Sequence, residues 1–96
     1  MRNRYIVSYD ISDQKRWLKV RKKMIGFGDP IQYSVFWCDL SDKEVLLLLN
    51  ALTELIDYEE DRVMIVNIGP SDGAIEDKLE FLGRSKPEKS PHVVVV

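Results

Sequence analysis

A chain of 96 residues supplies one compact domain, not two. At 45% hydrophobic and 31% charged, with a net charge of −2, it reads as a soluble globular protein and not a polycation, so affinity for nucleic acid must come from local clustering. Cys38 is the only cysteine, which excludes an intramolecular disulfide. With no run near ~20 apolar residues and no signal-peptide pattern, no membrane partner is expected, and a cytoplasmic, reducing location is.

The first element covers residues 4–10. Tyr5, Val7 and Tyr9 alternate with Ile6 and Ser8, and the strand stops on Asp10. A carboxylate at the carboxyl end of a strand is a common place for chemistry. No second acid, histidine or cysteine stands beside it. Taken alone, Asp10 reads as a cap or turn residue leading into a helix. Ser12 or Asp13 opens that helix, which runs to about Phe27 and ends on Gly26 and Gly28. At 100° per residue, Trp17, Leu18, Val20, Met24, Ile25 and Phe27 fall within an arc of about 180°. Lys15, Arg16, Lys19, Lys22 and Lys23 occupy the opposite arc, and residues 15–23 hold six basic side chains and no acid. Such a face is either simply solvated or a phosphate-contacting stripe. The concentration of acids elsewhere, at Asp57, Glu59, Glu60 and Asp61, favours the stripe. Arg21 lies inside the apolar arc, where it must snorkel, pair with an acid or meet a partner.

Residues 30–40 are rich in β-branched and aromatic side chains and read as one long strand, or as two joined by a bend near Tyr33. Ser41 with Glu44 three residues later is a capping box opening a second helix. Its core face is Val45, Leu48, Leu49, Leu52, Leu55 and Ile56, while Leu46 and Leu47 widen the apolar surface and offer a site for another protein. Residues 61–68 form a further strand, 79–83 a weaker one, and "HVVVV" a last strand after a Pro-, Ser- and Lys-rich connector.

This order, β-α-β-β-α-β, is the split βαβ or ferredoxin-like pattern: an α+β fold with two helices on one face of an antiparallel sheet. The other face would be bare in a monomer, which suggests a partner. The core spans about residues 1–83, and residues 84–96 are read as the connector and a dimerisation strand. Val93, Val94, Val95 and Val96 would be an aggregation hazard if exposed, and joining the sheet edge of a second copy would cover them.

Several chemistries find no support. Cys38 lies among apolar residues and reads as a small buried filler. His92, the only histidine, lies just outside the last strand, and ligands for zinc are missing. "GPSDG" at 69–73 lacks the Gly-Lys-Ser/Thr ending of a phosphate loop.

"YDIS" at the end of the first strand, the basic first helix, "IQYSVFWCDLS", "EEDRVMIVNIG" and "KLEFLG" occur in the order found in one family. Over nearly its whole length the chain resembles the Cas-two family, small CRISPR-associated endoribonucleases of antiviral defence that also serve as adaptation subunits. "QYSVF" followed by a "DLS" helix start is the most specific part.

The resemblance implies a ferredoxin-like homodimer that cleaves single-stranded RNA or double-stranded DNA with magnesium, manganese being an alternative ion. It also implies a subunit that bridges dimers of the Cas-one integrase and helps hold spacer DNA. The family's metal-binding aspartate matches Asp10, its neighbouring tyrosine Tyr9, and its strand serine and phenylalanine Ser34 and Phe36. Trp17 and Lys19 stand where members often carry arginines, with Arg16 close by, and Pro30 replaces an arginine before "IQYS". A proline offers neither charge nor backbone donor.

A two-fold dimer presents Asp10 twice, and magnesium commonly takes one or two protein carboxylates and fills its octahedron with water and substrate phosphate. The expectation is therefore a hydrolase in which one Asp10 from each protomer holds the ion. Tyr9, Arg16 and Ser34 position phosphate, Phe36 packs alongside, and Lys15, Arg16, Lys19, Lys22 and Lys23 contact the backbone. A non-catalytic scaffold that binds spacer DNA and docks the integrase through the second helix or tail is the alternative. A regulatory domain binding a small molecule at the dimer interface is a third reading, disfavoured by the basic stripe.

Overall fold

Asp13, not Ser12, starts the first helix. Its carboxylate accepts the Arg16 backbone N–H at 3.0 Å from an extended backbone conformation. The computed structural model describes residues 1–72 and 79–83 of the chain. They comprise β1 (Arg2–Asp10), α1 (Gln14–Ile25), β2 (Gly28–Gln32), β3 (Val35–Ser41), α2 (Asp42–Leu55) and β4 (Arg62–Pro70). The capping box of α2 forms in full: the Glu44 N–H donates to Ser41 Oγ at 3.2 Å and the Ser41 N–H to Glu44 Oε1 at 2.9 Å.

The strands pair antiparallel in the order β2-β3-β1-β4, so the split βαβ, α+β expectation holds. Residues 30–40 are two strands. Tyr33 and Ser34 make the turn, with Gln32 opposite Val35. Gly28 starts β2 so close to β3 that a Cβ there would lie 2.6 Å from Cys38 Sγ and closer still to the Trp37 carbonyl oxygen.

Alternation along the two central strands sends Tyr5, Val7 and Tyr9 of β1 and Phe36, Cys38 and Leu40 of β3 to one face. Trp17, Val20 and Met24 of α1 and Leu48 and Leu52 of α2 close over them. Two residues assigned to the helical core faces depart from expectation: Leu18 and Leu49 are exposed. The contact a helix makes with a sheet is narrower than its apolar arc. Residues spaced like Trp17, Val20 and Met24 fill it, and Leu18, a full 100° round from Trp17, is left outside. Ile25, Phe27, Val45, Leu55 and Ile56 are partly buried around the core, and Leu46 and Leu47 are exposed as read. Cys38 is enclosed, and burial pushes its thiol up to about 12, consistent with a filler.

Among the described residues no helix or strand packs on the other sheet face, although Trp37 there is only 9% exposed. Across it run Trp37, Ile6 and Val66 in register, with Met64 one rung further. The Arg4 guanidinium sits 5.4 Å from the centre of the Trp37 ring and partly shields it.

Residues 79–83 are not a strand, which corrects the expectation for "LEFLG". A strand exists only by pairing, and this segment pairs with none of the described strands; Leu82 is almost wholly exposed, and Gly83 has φ +95°. The connector beyond Gly83, His92 and Val93, Val94, Val95 and Val96 lie outside the described residues. Among the described residues no helix is long and apolar enough to cross a membrane.

Candidate functional site

Asp10 is the last residue of β1 and is exposed. Because Tyr9 faces the helices, alternation turns Asp10 to the uncovered sheet face. No hydrogen bond or ion pair within the described residues engages its carboxylate. Across the ladder it stands opposite Arg62, the first residue of β4, also exposed. A strand-end carboxylate with free lone pairs and a cation on the neighbouring strand can serve a cation and a phosphate together. Among the described residues no three His, Cys, Asp or Glu side chains gather to hold a metal. Asp10 alone among the described residues would offer a magnesium ion one carboxylate, the remaining positions falling to water, phosphate or a second copy.

Three of the other expected site residues gather behind Asp10, Tyr9 and Phe36 in the core and Ser34 half-buried at its edge. The Tyr9 N–H donates to the Ser34 carbonyl at 3.0 Å, which extends the β1–β3 ladder one rung past Ser8 and Val35. The Tyr9 ring lies 6.2 Å from Phe36 and 6.3 Å from Trp17, and burial raises its hydroxyl to about 12, against the opposing charge of Arg21. Tyr9 and Phe36 thus fix the end of β1 from beneath and offer substrate no surface. Ser34 Oγ accepts the Trp17 indole N–H at 2.8 Å.

Arg16 is engaged within the chain. Its Nε donates to Asp61 Oδ2 at 2.8 Å and its Nη2 to Asp61 Oδ1 at 3.2 Å, with Glu60 at 3.4 Å. The side chain clamps the start of α1 to the turn before β4 and is not free for phosphate. The acids that looked segregated in sequence therefore meet the basic helix at this point. Lys15, Lys19, Lys22 and Lys23 are exposed and form no ion pair among the described residues.

Two residues escaped the sequence reading. Arg62 was read only as part of a strand, and its place beside Asp10 follows from the β1–β4 register. Tyr33 was read only as a bend. It is exposed yet stacked on Trp17, with ring centres 4.4 Å apart and planes 17° from parallel.

The sequence profile described as CRISPR associated protein Cas2 matches residues 2–73. A CRISPR-associated endoribonuclease Cas2 of Geobacter sulfurreducens is 38% identical over 85 residues, covering 88% of both chains. One of Rhodospirillum rubrum is 40% identical over 81 residues, covering 84% of this chain and 78% of that protein. Among solved structures, Streptococcus pyogenes Cas2 superposes with a TM-score of 0.74 at 27% identity, over 83% of this chain and 99% of that one. A hypothetical protein from Thermus thermophilus superposes equally well, TM-score 0.74 at 30% identity, over 92% and 98%.

Proposed function

This chain belongs to the family described as CRISPR associated protein Cas2, and from that membership we propose that it is a magnesium-dependent endonuclease of antiviral defence, cutting phosphodiester bonds in single-stranded RNA or double-stranded DNA, and a dimeric DNA-binding subunit of the spacer-integration complex with the Cas-one integrase. One observation carries the catalytic part: Asp10 is exposed, is engaged by none of the described residues, and lies on the sheet face away from the helices. A two-fold partner seated on that face brings a second Asp10 to the first. The two carboxylates would hold the ion, which would supply Lewis acidity toward the phosphodiester and its attacking water. Arg62 neutralises phosphate charge from the next strand, in the role left vacant by Pro30 and the committed Arg16. The rung between Tyr9 and Ser34 keeps the strand end in place. The names of the relatives support the ribonuclease reading in particular.

Withdrawal of magnesium tests the reading. Cleavage of single-stranded RNA and duplex DNA is expected with the ion and not in excess chelator. Undiminished cleavage in chelator refutes the metal role.

The burial of Tyr9 and Phe36 and the commitment of Arg16 leave few side chains to act on phosphate, which favours the second reading, a scaffold that binds DNA without cutting it. There the lysine stripe does the work. Reversing Lys19, Lys22 and Lys23 to glutamate is expected to weaken duplex binding at low salt by about tenfold or more and to flatten its salt dependence. Unchanged affinity in a filter-binding or anisotropy titration rules the stripe out as the contact surface.

A further inference from the structure

An exposed tyrosine ring ordinarily swings free, as nothing holds it to the surface. Tyr58 is of this kind, with 73% of its surface exposed and no ring contact among the described residues. Tyr33 is equally exposed, at 71%, but one face of its ring lies flat on the Trp17 indole. Trp17 is itself pinned, by its N–H on Ser34 Oγ and by burial against Tyr9. The second face of Tyr33 is therefore a planar aromatic surface held in one orientation. Arg21 follows Trp17 by one helical turn, and its charge reaches the Tyr9 hydroxyl. Among the described residues no acid pairs with Arg21. The rung between Tyr9 and Ser34 makes Asp10 and Tyr33 the next residues on either side, so plate and carboxylate stand at the same end of the sheet, the plate on the helix face and the carboxylate on the other.

A fixed aromatic plate with a guanidinium in the same neighbourhood, unpaired among the described residues, matches the two faces of a nucleotide: the base stacks and the phosphate meets the cation. Bases within a duplex are already stacked on one another, whereas those of a single strand can be splayed out onto a protein ring. We propose that the solvent-facing side of Tyr33, backed by Trp17 and flanked by Arg21, is a stacking platform for one base of a single-stranded nucleic acid. The proposal rests on the nuclease reading for its choice of a single-stranded substrate. It assigns to the platform the discrimination of single strand from duplex, and stacking makes it tolerant of base identity.

The test uses a short RNA carrying one 2-aminopurine and the duplex of the same sequence, with wild type, Tyr33→Leu and Tyr33→Phe. Leucine still covers Trp17 but has no flat face, and thermal melts confirm that both variants fold. Tyr33→Leu is expected to weaken single-strand binding about tenfold or more and to abolish the quenching of 2-aminopurine. Tyr33→Phe keeps both, and duplex affinity is the same for all three. Wild-type affinity and quenching in Tyr33→Leu overturn the proposal, as does an equal loss on duplex or a wild type that leaves 2-aminopurine unquenched. Cleavage measured alongside separates the two ideas. Quenching that requires Tyr33 in a protein that cuts nothing sustains the platform and refutes the nuclease reading. Cleavage with no dependence of binding on Tyr33 does the reverse.

Discussion

Asp10→Ala is expected to lower cleavage about 10²- to 10³-fold while melting temperature and oligomeric state stay at wild-type values. The size follows from what a metal-assisted step loses with its ligand: several kcal/mol of charge stabilisation, at about tenfold in rate for each 1.4 kcal/mol. The unchanged stability follows from the structure, because the carboxylate is exposed and bonds to no described residue. Removing it leaves no cavity and no orphaned donor. Few side chains here allow so clean a separation: Tyr9 and Phe36 are core residues whose loss would disturb β1 directly. Asp10→Asn sharpens the point, because it keeps the shape and removes only the charge. If both variants cut at the wild-type rate, Asp10 is a turn residue and the catalytic reading falls. If they lose cutting but still support DNA capture with the integrase, the scaffold role is independent of the metal.

The legibility of this chain from sequence follows the range of each interaction. The capping box at Ser41 and Glu44, the alternation along β1 and the turn at Tyr33 and Ser34 depend on neighbours a few residues apart, and they appear where the sequence places them. Arg16 and Asp61 are 45 residues apart, so helical periodicity shows Arg16 as one more cation on a polar face. The stack of Tyr33 on Trp17 spans a helix and a turn, and in sequence Trp17 is simply an apolar-arc residue. Leu18 and Leu49 show the limit of the angular argument, which gives direction without the width of the contact. For Asp10 the described residues hold no partner acid. If one exists it is a second copy of the same residue, which only the symmetry of an assembly can supply.

Asp61→Ala is expected to cost about 3 kcal/mol of stability, the largest structural effect among the polar residues considered, and the loss is expected to depend on pH. The Asp61 side chain has no exposed surface. Oδ2 accepts from Arg16 Nε at 2.8 Å and from the Asp57 backbone N–H at 2.7 Å; Oδ1 accepts from the Ser12 N–H at 3.0 Å and from Arg16 Nη2 at 3.2 Å. One carboxylate thus ties the start of α1 to the turn between α2 and β4, and alanine leaves two backbone donors and a guanidinium without it. The Arg16 guanidinium, and then the two backbone N–H groups, hold the Asp61 carboxyl well below the usual carboxylate range, against the opposing effect of burial. A carboxyl depressed in the folded state stabilises it above the unfolded value, near pH 4, and that contribution drains away as the pH falls further. The difference in melting temperature between wild type and Asp61→Asn should therefore be full at pH 6 and shrink steadily below about pH 4. Asp39 and Glu44 are also depressed, chiefly by hydrogen bonds from Ser71 and Arg2 and from the Ser41 N–H, but they titrate alike in both proteins and cancel in the difference. A gap that stays constant from pH 6 to pH 2.5 would show that the charge on Asp61 contributes nothing, leaving its neutral hydrogen bonds alone to hold helix and turn together.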